Sequence, residues 1–430
     1  MKIINYEDKK SKELVKKILS RSTLENKAIQ EKVDDIIKNV KERGDEAVFE
    51  YTEKFDSFKL DTKNILVSEE EKRAAYEAVD SDLVRVIVRS AERIRAFHEK
   101  QKLNTWLEPS KSGEMLGQLI RPLDRVGVYV PGGKAAYPSS VLMNVIPAEV
   151  AGVEDIVMVT PPSKDGSISP TTIVAADVAG VDKIYKVGGA QAVAALAFGT
   201  ETIPKADKIV GPGNIFVALA KRSVYGYVNI DSVAGPSEIL VLADESADPS
   251  FVAADLLSQA EHDEMASAVL ITTDKTLAEN VDKCVREMTE KLERKEIIEK
   301  SLENYGAIII AKDMDEAIAL SNAVAPEHME VCTREPFEYL PKIKNAGAIF
   351  LGHYTPEPLG DYMAGPNHVL PTGGTARFFS PLSIDDYIKK SSILYFDKNS
   401  FTELSEDVIK FAEAEGLTAH ANSIKVRKGK

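Results

Sequence analysis

Cysteine is almost absent: Cys284 and Cys332 are the only two in 430 residues. Two thiols cannot build a disulfide framework or a cysteine-rich zinc site, so both are expected as ordinary reduced thiols. Long apolar runs are missing as well. No stretch is long and apolar enough to span a bilayer. The opening Met1-Lys2-Ile3-Ile4-Asn5-Tyr6-Glu7-Asp8 lacks the apolar run of a signal peptide, so a cytoplasmic protein without a membrane partner is expected. Positive charge is in deficit: 54 Lys and Arg against 68 Asp and Glu leave a net charge of −14. Nucleic acid and anionic membranes repel such a chain, which argues against either as partner. The one basic run, Lys425-Val426-Arg427-Lys428-Gly429-Lys430, reads as a solvated tail. The single tryptophan, Trp106, sits in a polar, turn-rich segment and is expected to anchor packing.

What is present is an ordinary globular balance, 44% hydrophobic and 28% charged, with length for two or three domains. Apolar residues keep helical spacing from Ser11 to Phe58, through Leu14, Ile18, Leu24, Ile29, Val33, Ile36, Ile37 and Val40. Ser68-Glu69-Glu70-Glu71 marks a helix start, and helical texture continues to His98, which reads as a surface residue. At Arg125 the texture changes. Short β-branched runs (Arg125–Val130, Asp155–Val159, Lys183–Val187, Lys208–Val210) alternate with apolar helical stretches (Ser140–Ala151, Thr171–Ala179, Ala190–Phe198). The rhythm restarts with strands Glu238–Leu242, Ala268–Thr272, Ala307–Ile310 and Ala348–Leu351. Such alternation predicts an α/β fold with two successive, incomplete Rossmann-like, doubly wound parallel-sheet domains. The expected division is a helical arm over 1–25, a first α/β domain over 26–124 plus 238–381, a second over 125–237, and a helical arm over 382–430. Within the last, Ser400 is expected to cap a helix Glu403–Glu415 that Gly416 ends.

Four glycine turns stand out: Pro131-Gly132-Gly133, Gly188-Gly189, Gly211-Pro212-Gly213 and Gly373-Gly374. Three follow strands of one predicted sheet, where exposed helix amides suit a pyrophosphate. None forms a full dinucleotide fingerprint, and each also fits a plain tight turn. Asp255, Gln259 and His262 fall at i, i+4 and i+7 on a polar stripe beside Ala253, Leu256, Leu257 and Ala260. A Gln oxygen and a His nitrogen one turn apart can face one cation near a helix C-terminus, and the same spacing fits a solvated face. Glu327-His328 closes a helical stretch as a carboxylate beside an imidazole, either an acid/base pair or a polar loop. Asp361, in Pro358-Leu359-Gly360-Asp361, has the pattern of a turn former, and His353 and His368 lie in loops with nothing to rank them.

Several motifs together resemble histidinol dehydrogenase, essentially from end to end. They are Tyr129–Gly133, Gly188-Gly189-Ala190-Gln191-Ala192, Gly211-Pro212-Gly213-Asn214, Asp231–Glu238, Asp255–His262, Asn322–His328 and Gly416–His420. The resemblance implies a zinc- and NAD-dependent oxidation of L-histidinol to L-histidine through a held aldehyde, in two hydride transfers. It implies one zinc per subunit on Gln259, His262, Asp361 and His420, and an acid/base pair in Glu327 and His328. It places Ser237, His328 and Glu415, with the metal ligands, on the substrate, and Tyr129, Gln191 and Asn214 on NAD. It also implies a homodimer whose C-terminal arm crosses, so that Glu415 and His420 complete the partner's site. Readings with another alcohol, or as a metal-dependent hydrolase using Glu327, remain as alternatives.

Overall fold

The computed structural model describes residues 1–6, 13, 16–17, 27–132, 137–233 and 235–428. The helical stretch expected around Leu14, Ile18 and Leu24 lies outside these residues, as do Gly133, Ala234 and the terminal Gly429-Lys430. The described chain forms two compact units, residues 1–101 with 124–387, and residues 102–123 with 388–430. In chain order the strands are β1 (Lys2–Asn5), β2 (Trp106–Pro109), β3 (Glu114–Pro122), β4 (Arg125–Tyr129), β5 (Asp155–Val159), β6 (Lys183–Tyr185) and β7 (Lys208–Val210). There follow β8 (Asn229–Ile230), β9 (Glu238–Ala243), β10 (Ser267–Thr272), β11 (Gly306–Ile310), β12 (His328–Cys332), β13 (Ala348–Leu351) and β14 (Ile388–Phe396).

The larger unit holds two wholly parallel sheets. One runs β6-β5-β4-β7-β8 and the other β1-β11-β10-β9-β12-β13. Counted from their own first strand, β4 or β9, both have the order third, second, first, fourth, fifth. Two stretches with little sequence similarity thus share one topology. Helices cover both faces, so β9, β10 and β12 are buried at every residue. Parallel strands covered on both sides read as unbroken apolar runs, which is why most were legible in the sequence. Chain order reverses beside β4 and beside β9, and beside β4 this opens a crevice at the carboxyl ends of the strands.

Helix ends follow local chemistry. Ser68 and Glu71 form a reciprocal capping box on Glu69–Ala78. Asp248 caps Pro249–Ala260 through the Ser250 amide at 2.7 Å. Among the described residues no helix is long and apolar enough to cross a membrane.

Several expectations need correction. Residues 2–5 are not helical: they form β1 at a sheet edge, paired with β11. The C-terminal segment is not purely helical either, because β14 pairs antiparallel with β3 over nine residues and β3 pairs with β2. These strands are half-exposed, with polar and apolar residues mixed, so they lack the apolar signature of the parallel sheets. Trp106 lies in β2 and is half exposed, so it does not anchor a core. The helix expected from Glu403 starts at Lys398, capped by Asp397, whose carboxylate accepts the Ser400 amide at 2.9 Å; Gly416, at φ 76°, follows its end as expected. Part of the basic tail is helical, within Thr418–Lys428. His98 is buried rather than on the surface, because it continues the stripe of Ile87, Ala91 and Ile94 at helical spacing.

Candidate active site

The clustered titratable groups sit at the amino-terminal edge of the β1-to-β13 sheet. His328 opens β12, where it pairs with Ile239 of β9 on one side and Ala348 of β13 on the other. The sequence placed it on a loop; a charged residue inside Met329-Glu330-Val331 hid the strand. Glu238, at the head of β9, and Glu327 exchange bonds: the Glu327 carboxylate accepts the Glu238 amide at 2.8 Å, and the Glu238 carboxylate accepts the Glu327 amide at 3.2 Å. Glu238 also accepts the Gly373 amide at 3.1 Å, which gives the Gly373-Gly374 turn a structural task.

The same Glu238 supplies its carbonyl oxygen to His328 Nδ1 at 2.9 Å. A carbonyl only accepts, so Nδ1 carries the proton and Nε2 keeps its lone pair. Nε2 is buried and has no hydrogen-bond partner. Burial lowers the His328 pKa to about 4, which leaves the ring neutral across the physiological range. Burial and the neighbouring Glu238 push Glu327 well above the usual carboxylate range.

His328 lines a cavity of about 430 Å³ with Asp361, Asn367, His368 and Phe350. Asp361 sits on the π-helical turn Gly360–Ala364, directly after the short helix Glu357–Leu359. The helix Ser81–His98 braces that turn: the Ser90 hydroxyl donates to the Tyr362 carbonyl at 2.6 Å, and Arg93 donates to the Met363 carbonyl. Gly365 permits this approach, since at φ +107° a Cβ would stand 2.7 Å from the Arg93 carbonyl oxygen.

Ligand atoms of His328, Glu357 and Asp361 all lie within 4.8 Å of one another. His328 Nε2 is 3.9 Å from Glu357, and His368 Nδ1 is 3.6 Å from Asp361. Burial, then the neighbouring Asp361, raises Glu357 to about 8. Gln259 is 1% exposed, and its Oε1 has no hydrogen-bond partner, so the solvated-face alternative fails for this residue. His368 Nδ1 is likewise buried without a hydrogen bond. Orphaned donor atoms and crowded carboxylates in one region are the signature of a site that wants a cation. His262 lies just beyond the end of Pro249–Ala260 and is exposed. Of the metal set that the resemblance implies, Asp361 alone belongs to this three-residue cluster. Gln259 and His262 lie in the same unit, whereas His420 and Glu415 lie in the smaller one, on and just before the helix Thr418–Lys428. Ser237 precedes Glu238 at the same sheet edge.

A second cavity, of about 580 Å³, opens at the carboxyl ends of β4–β7, where the chain order reverses. It brings together Tyr129, Gly132, Gln191 and Asn214. The buried Tyr129 hydroxyl accepts the Gly189 amide at 3.1 Å. Gln191 is 1% exposed, and neither its Oε1 nor its Nε2 has a hydrogen-bond partner. Asn214 also has a purely structural task, capping Ile215–Val224 through the Phe216 amide at 3.0 Å. Gly211 is fixed from both sides: its amide donates to Asp231 at 2.8 Å and its carbonyl accepts from Lys221 at 2.9 Å, while Lys221 and Asp231 form a buried ion pair. No other residue fits there, because a Cβ would lie 2.0 Å from the Tyr129 carbonyl oxygen at φ +112°.

Sequence reasoning missed Glu238, Glu357, His368 and Asp56 of the second cavity. Only Glu238 carried a signal, as a lone charge heading the apolar run Ile239-Leu240-Val241-Leu242.

Comparison with known proteins gives matches along nearly the whole chain. A family model for histidinol dehydrogenase matches residues 19–428. The chain is 61% identical over 411 residues to a histidinol dehydrogenase of Caldanaerobacter subterraneus subsp. tengcongensis, covering 96% of this chain and 95% of that protein. It is 59% identical over 407 residues to one of Clostridium acetobutylicum, covering 95% and 94%. The crystal structure of histidinol dehydrogenase from Elizabethkingia anophelis superposes with a TM-score of 0.94 at 39% identity, over 99% of this chain and 98% of that one. With a family model over nearly its whole length, relatives at 59% and 61% identity and a crystal structure of the family superposing at a TM-score of 0.94, the chain belongs to the histidinol dehydrogenase family, and it is an oxidoreductase.

Proposed function

We propose that the chain oxidises L-histidinol to L-histidine in the cytoplasm, through an aldehyde that stays bound, with zinc and two molecules of NAD consumed in turn. The observation that carries this reading is the neutral His328, whose Nδ1–H is tied to the Glu238 carbonyl and whose free Nε2 is buried at a cavity. Such a base takes the hydroxyl proton from the alcohol while hydride departs. Glu327 then draws a proton from the water that adds to the aldehyde. Burial raises the proton affinity of Glu327, and a carboxylate of raised proton affinity is the stronger base once ionised.

Zinc would be held by Gln259, His262, Asp361 and His420, and when bound it supplies a template that orients the substrate's nitrogen atoms. The orphaned Gln259 oxygen supports a role in that set. NAD, the hydride acceptor, would lie in the 580 Å³ cavity against Tyr129, Gln191 and Asn214, and residues 125–237 would form the cofactor-binding domain. Ser237 and Glu415 would read the amino-alcohol, with the Glu415 carboxylate suited to the ammonium group. Glu415 and His420 would come from the partner subunit of a homodimer, which makes assembly a condition of turnover.

The test is NADH formed per histidinol consumed. Two per substrate, abolished by chelation and restored by zinc, supports the reading. One per substrate with free aldehyde removes the second step, and none at all overturns it.

A further inference from the structure

We propose that Asp56 reads the adenosine ribose of the dinucleotide and makes this pocket select NAD over its 2′-phosphorylated form. The inference rests on the cavity at β4–β7 being the dinucleotide site. Asp56 ends the helix Asp45–Asp56 and lines that cavity beside Phe55, Tyr129, Pro161 and Gln191. Among the described residues that line it, Asp56 is the one carboxylate. Its Oδ2 is shut off from solvent and accepts no hydrogen bond. A buried carboxylate oxygen without a donor is costly, so the site is built for a ligand that donates.

Doubly wound dinucleotide folds place a carboxylate after the second strand to take the ribose hydroxyls. Here the second strand of the sheet, β5, is followed by Thr160–Asp165, whose one carboxylate, Asp165, accepts the Ser167 amide and hydroxyl and does not line the cavity. Asp56 arrives at the same cavity from a helix outside the sheet and fills that role. A vicinal diol gives it two O–H donors. A phosphate on the 2′ oxygen would replace one donor with an anion facing a carboxylate. Phe55, half exposed at the same wall, offers an apolar ring face to the adjoining base. Burial already pushes Asp56 up to about 6, so the free carboxylate gains by receiving donors. Lys164 lines the cavity too and would favour the phosphorylated cofactor, so the two residues make opposite forecasts.

The experiment compares steady-state kinetics of wild type and Asp56→Asn with NAD and NADP at saturating histidinol and zinc. A lost charge-assisted hydrogen bond predicts a rise of about 10- to 100-fold in KM for NAD. The ratio of kcat/KM for NADP over NAD should rise with it, while KM for histidinol and bound zinc stay unchanged. An unmoved NADP-to-NAD ratio overturns the proposal, including the case where both cofactors weaken equally and Asp56 is merely structural. If the variant does not fold, inhibition of wild type by ADP-ribose and by its 2′-deoxy analogue decides: tighter binding of ADP-ribose supports the proposal, and equal binding overturns it. A wild type that forms no reduced nicotinamide with either cofactor would instead sink the reading of the cavity.

Discussion

Replacing His328 with asparagine separates its two properties, the neutral ring and the free Nε2. Asparagine can still donate to the Glu238 carbonyl, but it brings neither a titrating group nor a lone-pair nitrogen at Nε2. The folded pKa of His328 is about 4, against an ordinary value of 6.5. Between those values the unfolded chain binds a proton that the folded chain refuses, so stability is lost as pH falls from 6.5 to 4. At about 1.4 kcal/mol per pH unit, this one ring accounts for about 3 kcal/mol over that window. Urea denaturation of the metal-free protein at pH 6.5 and 4 should show wild type losing that much more than His328→Asn. Kinetically, loss of a general base predicts a fall in kcat of about 10²- to 10⁴-fold. KM for histidinol and zinc content should stay near wild type. Parallel stability curves would show that the imidazole is not held neutral, and ordinary turnover in the variant would remove His328 as the base.

Gln259→Leu removes a buried oxygen that has no partner in the metal-free chain, so the apo-protein should hold its stability or gain about 1 kcal/mol. Zinc bound after dialysis, read by atomic absorption, should nevertheless fall to background; full retention would exclude Gln259 as a ligand. Lys221→Met leaves Asp231 buried without its ammonium and frees the Gly211 carbonyl, at a cost of about 3–5 kcal/mol in denaturant unfolding. Because the pair fixes the turn before Asn214, KM for NAD should rise in the folded variant, and an unchanged KM would mean the turn holds without it.

How much was legible follows from burial. Parallel strands such as β5, β7 and β10, covered on both faces, announced themselves as apolar runs. β12 did not, because titratable residues interrupt it: His328 at its head and Glu330 within it. The strands β2, β3 and β14 stayed hidden because half-exposed antiparallel strands tolerate mixed composition. At the site, Gln259 and His328 were visible as residues but not as environments. Burial with an unpartnered atom is a property of packing, and no spacing encodes it. The pairing of Glu238 with Glu327, 89 positions apart, is equally invisible until two strands lie side by side.

The two parallel sheets share one strand order but use opposite poles. In one, the cavity sits at the carboxyl ends of β4–β7; in the other, Glu238 and His328 stand at the amino ends of β9 and β12. The unused pole of the second sheet is stitched shut by Asp244, whose carboxylate takes the amides of Ser246 at 2.9 Å and Arg334 at 3.0 Å. Two sheets of one strand order thus carry their cavities at opposite ends of their strands. Substitutions should then be read pole by pole: those around Asp244 are expected to cost folding, and those around Glu238, if the proposed function holds, to cost turnover as well.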